Sequence, residues 1–268
     1  MDLGLKDKVA LVTGGSRGIG LRTIRVFAEE GCKVAYCSRN KEDLTKVESE
    51  LRSRGVQVLA IQADVVDPGD AKRFLDQGVK ELGGIDILVN NVGSNTGGNL
   101  MKSTDEDWRK TFETNLFQFV RMIRLVAPHM RKRGGGSIVN IASISGWEPQ
   151  LAFTGQYGSS KAAMIFLAER FALELASSKI RVNTVSPGSI IWSGAGWDNF
   201  RKKYPESFEG YVRDGFPMGR LGMPEEVADV IVFLSSPRAN WINGRNIPVD
   251  GLEQPVPPSE WVKFGEPA

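Results

Sequence analysis

The feature that most limits this chain is its first strong signal. An apolar run at 9–13 breaks into Thr13-Gly14-Gly15-Ser16-Arg17-Gly18-Ile19-Gly20 and then into a stretch of helical periodicity. Few folds place a strand, a glycine-rich turn and a helix in that order. Glycines let the backbone turn tightly and approach a bound group, and amides at a helix N-terminus stabilise negative charge. The alternation continues nearly to the end. Apolar runs at 33–37, 57–61, 85–89, 136–141, 180–185 and 246–249 read as six further strands, with helical stretches around 19–30, 41–54, 68–82, 105–133, 157–177 and 224–235 between and after them. Most runs are apolar at successive positions, as strands buried on both faces must be, so the pattern predicts βαβ units around a parallel sheet. With no internal repeat or linker, residues 1–268 read as one domain. Segment 189–222 is rich in glycine and aromatics and reads as a functional excursion, a substrate loop. The tail, 252–268, is proline-rich and is expected to be extended.

Composition excludes several chemistries. Lys+Arg 34 against Asp+Glu 32 leaves a net charge of +2, without the concentrated basic excess of a nucleic-acid-binding domain. His129 is the one histidine, and Cys32 and Cys37 are the two cysteines, so a typical zinc site of Cys and His ligands is not available and no metal is expected. A Ser-His-Asp hydrolase would depend on His129 alone. The cysteines read as free thiols, the first residues lack a signal-peptide pattern, and no apolar run reaches the length of a membrane span. A cytoplasmic protein without a membrane partner is expected. Any acid/base chemistry needs a proton carrier other than histidine.

The glycine-rich turn suggests a dinucleotide site, with Gly14, Ser16, Arg17, Gly18, Ile19 and Gly20 around a pyrophosphate. Its spacing is G-x-x-x-G-x-G, not the G-x-G-x-x-G of the standard fingerprint. The second strand ends in Cys37-Ser38-Arg39-Asn40, with no acid where an NAD-selective site holds the ribose 2′-hydroxyl. Arg39, with Ser38 and Arg17, suits a 2′-phosphate through charge-assisted hydrogen bonds worth roughly 1.5–3 kcal/mol each, so NADP (NADPH) is favoured over NAD. The proton carrier is Tyr157, placed at i and i+4 with Lys161 on one helical face. A lysine cation about 4 Å away, at an effective dielectric near 20, favours the phenolate by roughly 4 kcal/mol. Tyr157 is therefore expected to titrate nearer neutral pH than a free tyrosine.

Further motifs fall in order: Asn90-Asn91-Val92-Gly93 after the fourth strand, Asn115 in the next helix, Ser143 after the fifth strand and Pro187-Gly188 after the sixth. The run from Pro217 to Ala228 and Val249-Asp250-Gly251 close the series. With the glycine-rich turn and Tyr157/Lys161, their order and spacing resemble the classical short-chain dehydrogenase/reductase family over residues 5–251. The resemblance implies an α/β fold: a Rossmann-type, doubly wound, seven-stranded parallel sheet with helices on both faces. It implies Asn115, Ser143, Tyr157 and Lys161 as the catalytic set. Tyr157 would exchange a proton with the substrate oxygen, Ser143 would hydrogen-bond that oxygen, Lys161 would hold the nicotinamide ribose, and Asn115 would hold a relay water. It further implies that Asp64 and Val65 contact adenine, Asn91 and Gly93 the neighbouring ribose, and Pro187, Gly188 and Ile190 the carboxamide. Two positions depart from the family pattern. Val92 stands where alanine is common, and Trp192 stands where many members place a carboxamide-binding threonine.

Trp192, Trp197, Phe200, Tyr204, Phe208, Tyr211 and Phe216 in the excursion, with Trp147 and Phe153, suggest an apolar pocket for a bulky or cyclic ketone or alcohol. The expected activity is hydride transfer between nicotinamide and a ketone or secondary alcohol. An alternative is a 3-oxoacyl-carrier-protein reductase of the same family, with Arg201, Lys202 and Lys203 receiving a phosphopantetheine arm. An alternative of another class is a catalytically silent dinucleotide-binding regulator. The resemblance also implies a homo-oligomer, a homotetramer or dimer joined through helices 105–133 and 157–177, with the tail residues Trp261 and Phe264 candidates to cover a neighbouring subunit.

Overall fold

A computed structural model describes residues 2–94, 100–148 and 155–254. Phe153 and tail residues 255–268, with Trp261 and Phe264, lie outside the described residues. Seven strands form one sheet in the order β3-β2-β1-β4-β5-β6-β7. They are β1 (Val9–Thr13), β2 (Lys33–Ser38), β3 (Val58–Gln62), β4 (Ile87–Asn90), β5 (Gly136–Ile141), β6 (Ile180–Pro187) and β7 (Asn246–Val249). Every pairing is parallel. The expected α/β doubly wound sheet is present, with strand ends shifted by one or two residues.

Side-chain alternation along β1 explains the layers. Val9 and Leu11 point to one face, Ala10 and Val12 to the other, and all four are buried. The first face packs on α3 (Pro68–Leu82), α5 (Gln118–Lys132) and α6 (Gly155–Leu175), through residues such as Phe74, Phe119 and Met164. The second packs on α1 (Gly18–Glu29), α2 (Lys41–Ser53) and α9 (Pro224–Ser235), through Phe27, Leu51 and Ile231. Local chemistry starts several helices cleanly. Asn40 and Asp67 cap α2 and α3, and Thr104 with Asp107 forms a capping box on α4 (Asp105–Phe112).

The structure departs from the predicted helix over 105–133. A π-helical segment, Glu113–Phe117, separates α4 from α5. Such wide turns recur at functional sites, and this one carries Asn115. The excursion 189–222 contains α7 (Gly196–Lys203) and α8 (Pro205–Gly215). These helices build a small core of Phe200, Tyr211, Phe216 and Leu221, with Tyr204 and Phe208 packed against it. Most of the excursion's aromatics are therefore packing residues and not pocket lining. Among the described residues, no helix is long and apolar enough to cross a membrane.

Leu11 lies at the centre of the sheet with no exposed surface. Leu11→Ala is expected to lower unfolding free energy by about 2–5 kcal/mol, measured as a fall in the urea midpoint at unchanged slope.

Candidate active site

The strand order reverses between β1 and β4, and the turns that follow these strands splay apart to leave a crevice. Asn91 ties them together. Its side-chain amide donates to the Thr13 and Gly14 carbonyls at 3.0 and 2.9 Å. A Cβ at Gly20 would lie 2.2 Å from the Gly14 oxygen, so α1 approaches the turn as closely as only glycine permits. Unlike α2, α3 and α4, α1 has no side-chain cap and no acid in its first turn. Its leading amides, from Gly18 to Gly20, are thus suited to an anion. Gly14-Gly15-Ser16-Arg17-Gly18 also matches the G-x-S-x-G letters of a hydrolase elbow. However, Ser16 Oγ donates to Ser38 Oγ at 2.8 Å, and His129 does not line the cavities on either side.

A cavity of about 700 Å³ runs from this turn past the end of β2. Gly14, Ser16, Arg17, Ser38, Arg39, Asp64, Val65, Asn91 and Gly93 line it, bringing the expected adenosine-side residues together. Arg39 is 80% exposed and 3.7 Å from Asp64, and Arg17 is 75% exposed and 3.5 Å from Asp43. Both ion pairs are worth little in solvent, so either guanidinium exchanges its partner for a stronger anion at small cost. Arg121, missed from sequence, donates to the Val65 and Val66 carbonyls and fixes the loop after β3.

The adjoining cleft, about 350 Å³, is lined by Gly18, Ile19, Ser143, Tyr157, Lys161, Pro187, Gly188, Ile190, Trp192 and Trp197. Tyr157 hydrogen-bonds Ser143. Lys161 is 2% exposed, and its Nζ donates to the Ile141 carbonyl at 2.7 Å and lies 5.5 Å from the Tyr157 ring centroid. Asn115 also reaches this corner, since a Cβ at Gly93 would lie 2.8 Å from its Oδ1 and 3.0 Å from Lys161 Nζ. Both Asn115 amide protons are committed, to the Ser94 and Thr111 carbonyls, and its Oδ1 accepts from Ser94 N. Its side chain therefore pins the loop after β4. Trp192 turns its indole onto Gly18 at the start of α1, forming a wall of the cleft.

The expected lowering of Tyr157 is reversed here. Burial pushes the phenol up to about 12, with the Ser143 hydrogen bond pulling the other way, and burial brings the Lys161 ammonium down to about 7. Desolvation disfavours both charged forms. Between about 7 and the ordinary 10.5, unfolded chain holds a proton on Lys161 that native chain has released, so this residue's cost to folding falls as pH rises. Lys161→Met is therefore expected to raise the melting temperature more at pH 6 than at pH 9, compared with wild type by calorimetry.

The residues fit a dinucleotide: an uncapped helix start, a turn that tolerates close approach, and a continuous lining from Arg39 to Tyr157. Among the described residues, no group of three or more His, Cys, Asp or Glu is placed to hold a metal ion.

Comparison with known proteins gives the same picture. The family model for short chain dehydrogenase matches residues 8–200. Dehydrogenase/reductase SDR family member 4 of Mus musculus is 36% identical, over 92% of this chain and 87% of its own. The 3-oxoacyl-acyl-carrier-protein reductase FabG of Thermotoga maritima is 36% identical, over 92% of this chain and 98% of its own. Among solved structures, the L-sorbose reductase of Gluconobacter frateurii complexed with NADPH and L-sorbose superposes with TM-score 0.89 at 34% identity, covering 96% of this chain and all of that one (100%). A 7α-hydroxysteroid dehydrogenase complexed with NADH and 7-oxo glycochenodeoxycholic acid gives TM-score 0.88 at 32% identity, covering 95% and 97%. With its doubly wound sheet, its crevice at the β1–β4 reversal and this breadth of likeness, the chain belongs to the short-chain dehydrogenase/reductase family of NAD(P)-binding oxidoreductases.

Proposed function

We propose that the protein interconverts a ketone and a secondary alcohol with NADPH, using Tyr157 as the acid/base, and that its substrate is bulky or apolar. One observation carries this reading: Ser143, Tyr157 and Lys161 share a cleft with the start of α1, while the adenosine end is lined by Ser38, Arg39 and Arg17 with no carboxylate at the end of β2. The bound nicotinamide supplies or accepts the hydride. The chain's own groups do the rest. A phenol held up to about 12 keeps its proton at neutral pH and gives it to the carbonyl oxygen as the alcohol forms. Ser143 donates a hydrogen bond to the same oxygen as charge develops there. Lys161, anchored on the Ile141 carbonyl, holds the nicotinamide ribose and replenishes the proton. Amides from Ser16 to Gly20 hold the pyrophosphate, Asp64 and Val65 flank adenine, Asn91 and Gly93 flank its ribose, and backbone at Pro187, Gly188 and Ile190 orients the carboxamide. Asn115 fixes Ser94 and with it the loop whose Gly93 stands against Lys161.

Trp192 and Trp197, the two aromatics of the excursion that line this cleft, favour a flat or apolar substrate face. All 268 residues act as one domain, with 189–222 as the substrate wall. The likeness to the Thermotoga reductase favours a second reading, reduction of a 3-oxoacyl thioester. Against it, Arg201 and Lys202 are both engaged by Asp198, at 2.7 and 2.6 Å. A homo-oligomer, dimer or tetramer, is supported by Phe117, Phe166 and Leu173, exposed on the π segment and α6. A cytoplasmic setting is supported by the buried free thiols of Cys32 and Cys37.

In steady-state assays with a ketone panel, wild type is expected to prefer NADPH over NADH by about tenfold to a hundredfold in kcat/KM, and Arg39→Asp to remove that preference. A wild type that prefers NADH overturns the assignment. Tyr157→Phe is expected to lower kcat by about 10²–10⁴, while His129→Ala stays within about twofold. Acyl-thioester turnover exceeding that of free ketones would establish the second reading.

A further inference from the structure

We propose that Glu253 is a positioning residue of this site, a buried carboxylate that clamps the loop after β6 to α8 and thereby holds Trp197 at the edge of the cleft. The inference rests on the oxidoreductase reading above and extends it to a residue outside every motif considered so far. Glu253 follows β7 by four positions and is 4% exposed. Its Oε2 accepts from Ser189 N at 2.6 Å, and its Oε1 accepts from Ser189 Oγ at 2.8 Å and from Tyr211 Oη at 2.9 Å. Ser189 Oγ and Tyr211 Oη are themselves 3.2 Å apart, closing a triangle of oxygens. No cation pairs with this carboxylate among the described residues.

The contacts lead directly to the cleft. Ser189 sits between Gly188 and Ile190, which line it. A Cβ at Gly188 would lie 2.6 Å from Glu253 Oε2, so glycine here is what admits the carboxylate behind the loop. Tyr211, on α8, stacks on Trp197 with ring centroids 4.7 Å apart and planes 10° from parallel. Trp197 lines the cleft with Tyr157 and Lys161. The backbone reinforces the join, since Gly188 N donates to the Val249 carbonyl and Gln254 N to that of Gly215. One side chain thus sets the distance between the backbone beside the catalytic tyrosine and the aromatic wall facing it. Errors of about 1 Å in such placement cost on the order of a hundredfold in rate.

Counting protons identifies the informative substitutions. The two hydroxyls supply two protons to three oxygen–oxygen contacts, so an ionised Glu253 leaves one contact unbridged. A protonated carboxyl completes the ring, and burial raises Glu253 toward that form. Glutamine satisfies the same partners: its oxygen accepts from Ser189 N, and its amide donates to both hydroxyls. Alanine satisfies none.

The test compares Glu253→Gln, Glu253→Ala and Tyr211→Phe in the full chain by two readouts. The first is tryptic cleavage within 189–222, which needs no turnover. The second is kcat and KM for the best ketone, with cofactor affinity measured separately by nucleotide fluorescence. Glu253→Ala is expected to be cleaved at least fivefold faster and to lose tenfold or more in kcat/KM. Cofactor affinity should stay within about threefold, and Glu253→Gln should match wild type in both readouts. Tyr211→Phe should fall between, and Glu253→Ala/Tyr211→Phe should be no worse than Glu253→Ala, because the two act as one unit. Wild-type turnover in Glu253→Ala, or equal losses in Glu253→Gln and Glu253→Ala, overturns the proposal. So does lost activity with unchanged cleavage. Should Glu253→Ala not fold, Tyr211→Phe and Ser189→Ala carry the test: faster cleavage with reduced kcat/KM supports the clamp, and wild-type behaviour overturns it. If wild type reduces no carbonyl with either nicotinamide, the oxidoreductase reading fails while the cleavage pattern still reports on the clamp.

Discussion

Two backbone amides converge on one threonine hydroxyl where β1 meets β4. Asn91 N and Val92 N donate to Thr13 Oγ1 at 3.0 and 3.2 Å, and the hydroxyl's own proton points to the Val89 carbonyl at 3.4 Å. This uses the full capacity of a hydroxyl, two lone pairs and one proton. Valine has the same shape and would leave two partly buried amides without this acceptor. The crevice depends on this join. Parallel strands that reverse order spread their following turns apart, and Thr13 with Asn91 fixes how far. The glycine turn is then held from behind by strand β4, leaving the α1 amides free to face a ligand.

Desolvation sets the proton chemistry. Lys161 is buried and Tyr157 half-buried beside it, and this burial drives both toward neutrality, the tyrosine by keeping its proton and the lysine by losing it. A simple Coulomb pair treats the lysine as an unconditional cation and lowers the tyrosine. The geometry explains the difference: Nζ is anchored on the Ile141 carbonyl and stands 5.5 Å from the ring centroid, while the phenol's direct partner is the neutral Ser143. A protonated tyrosine is the form a carbonyl reduction consumes. On the proposed reading, running in reverse would require Tyr157 to lose its proton first, so alkaline pH would favour oxidation of the alcohol.

Much of this was legible in the sequence because it rests on local patterns. Strand hydrophobicity at Val9–Thr13, the proline and acids at Pro224–Glu226 and the i, i+4 pair Tyr157/Lys161 are short-range features that tertiary structure preserved. The π segment was not, since nothing in Glu113–Phe117 opposes an ordinary helix; the turn widens as Asn115 bonds Ser94 across the crevice. Glu253 was illegible for the same reason. Its partners lie 42 and 64 residues away, and a glutamate near the end of a chain ordinarily reads as solvated. Arg121 reaches the loop after β3 over 56 residues and carries no motif. The aromatic excursion misled through composition, since a count of rings does not separate a lining from a small core.

That small core has an electrostatic counterpart which decides what the cleft presents. Asp198, 2% exposed, accepts from Gly194 N, Arg201 and Lys202 at once, and these bonds hold its carboxyl down at about 2. The excursion's first helix thus turns two of its three basic residues back onto its own carboxylate, and the third, Lys203, lies over the Tyr204 ring at 5.1 Å. Cations gathered in this way are not held ready for a phosphate-bearing arm. The wall left facing Tyr157 is Trp192, seated on Gly18, and Trp197, stacked on Tyr211. Indole faces offer area and polarisability with little demand for hydrogen bonds, so this side of the cleft is apolar, and the hydroxyls of Ser143 and Tyr157 are the polar groups that line it beside them.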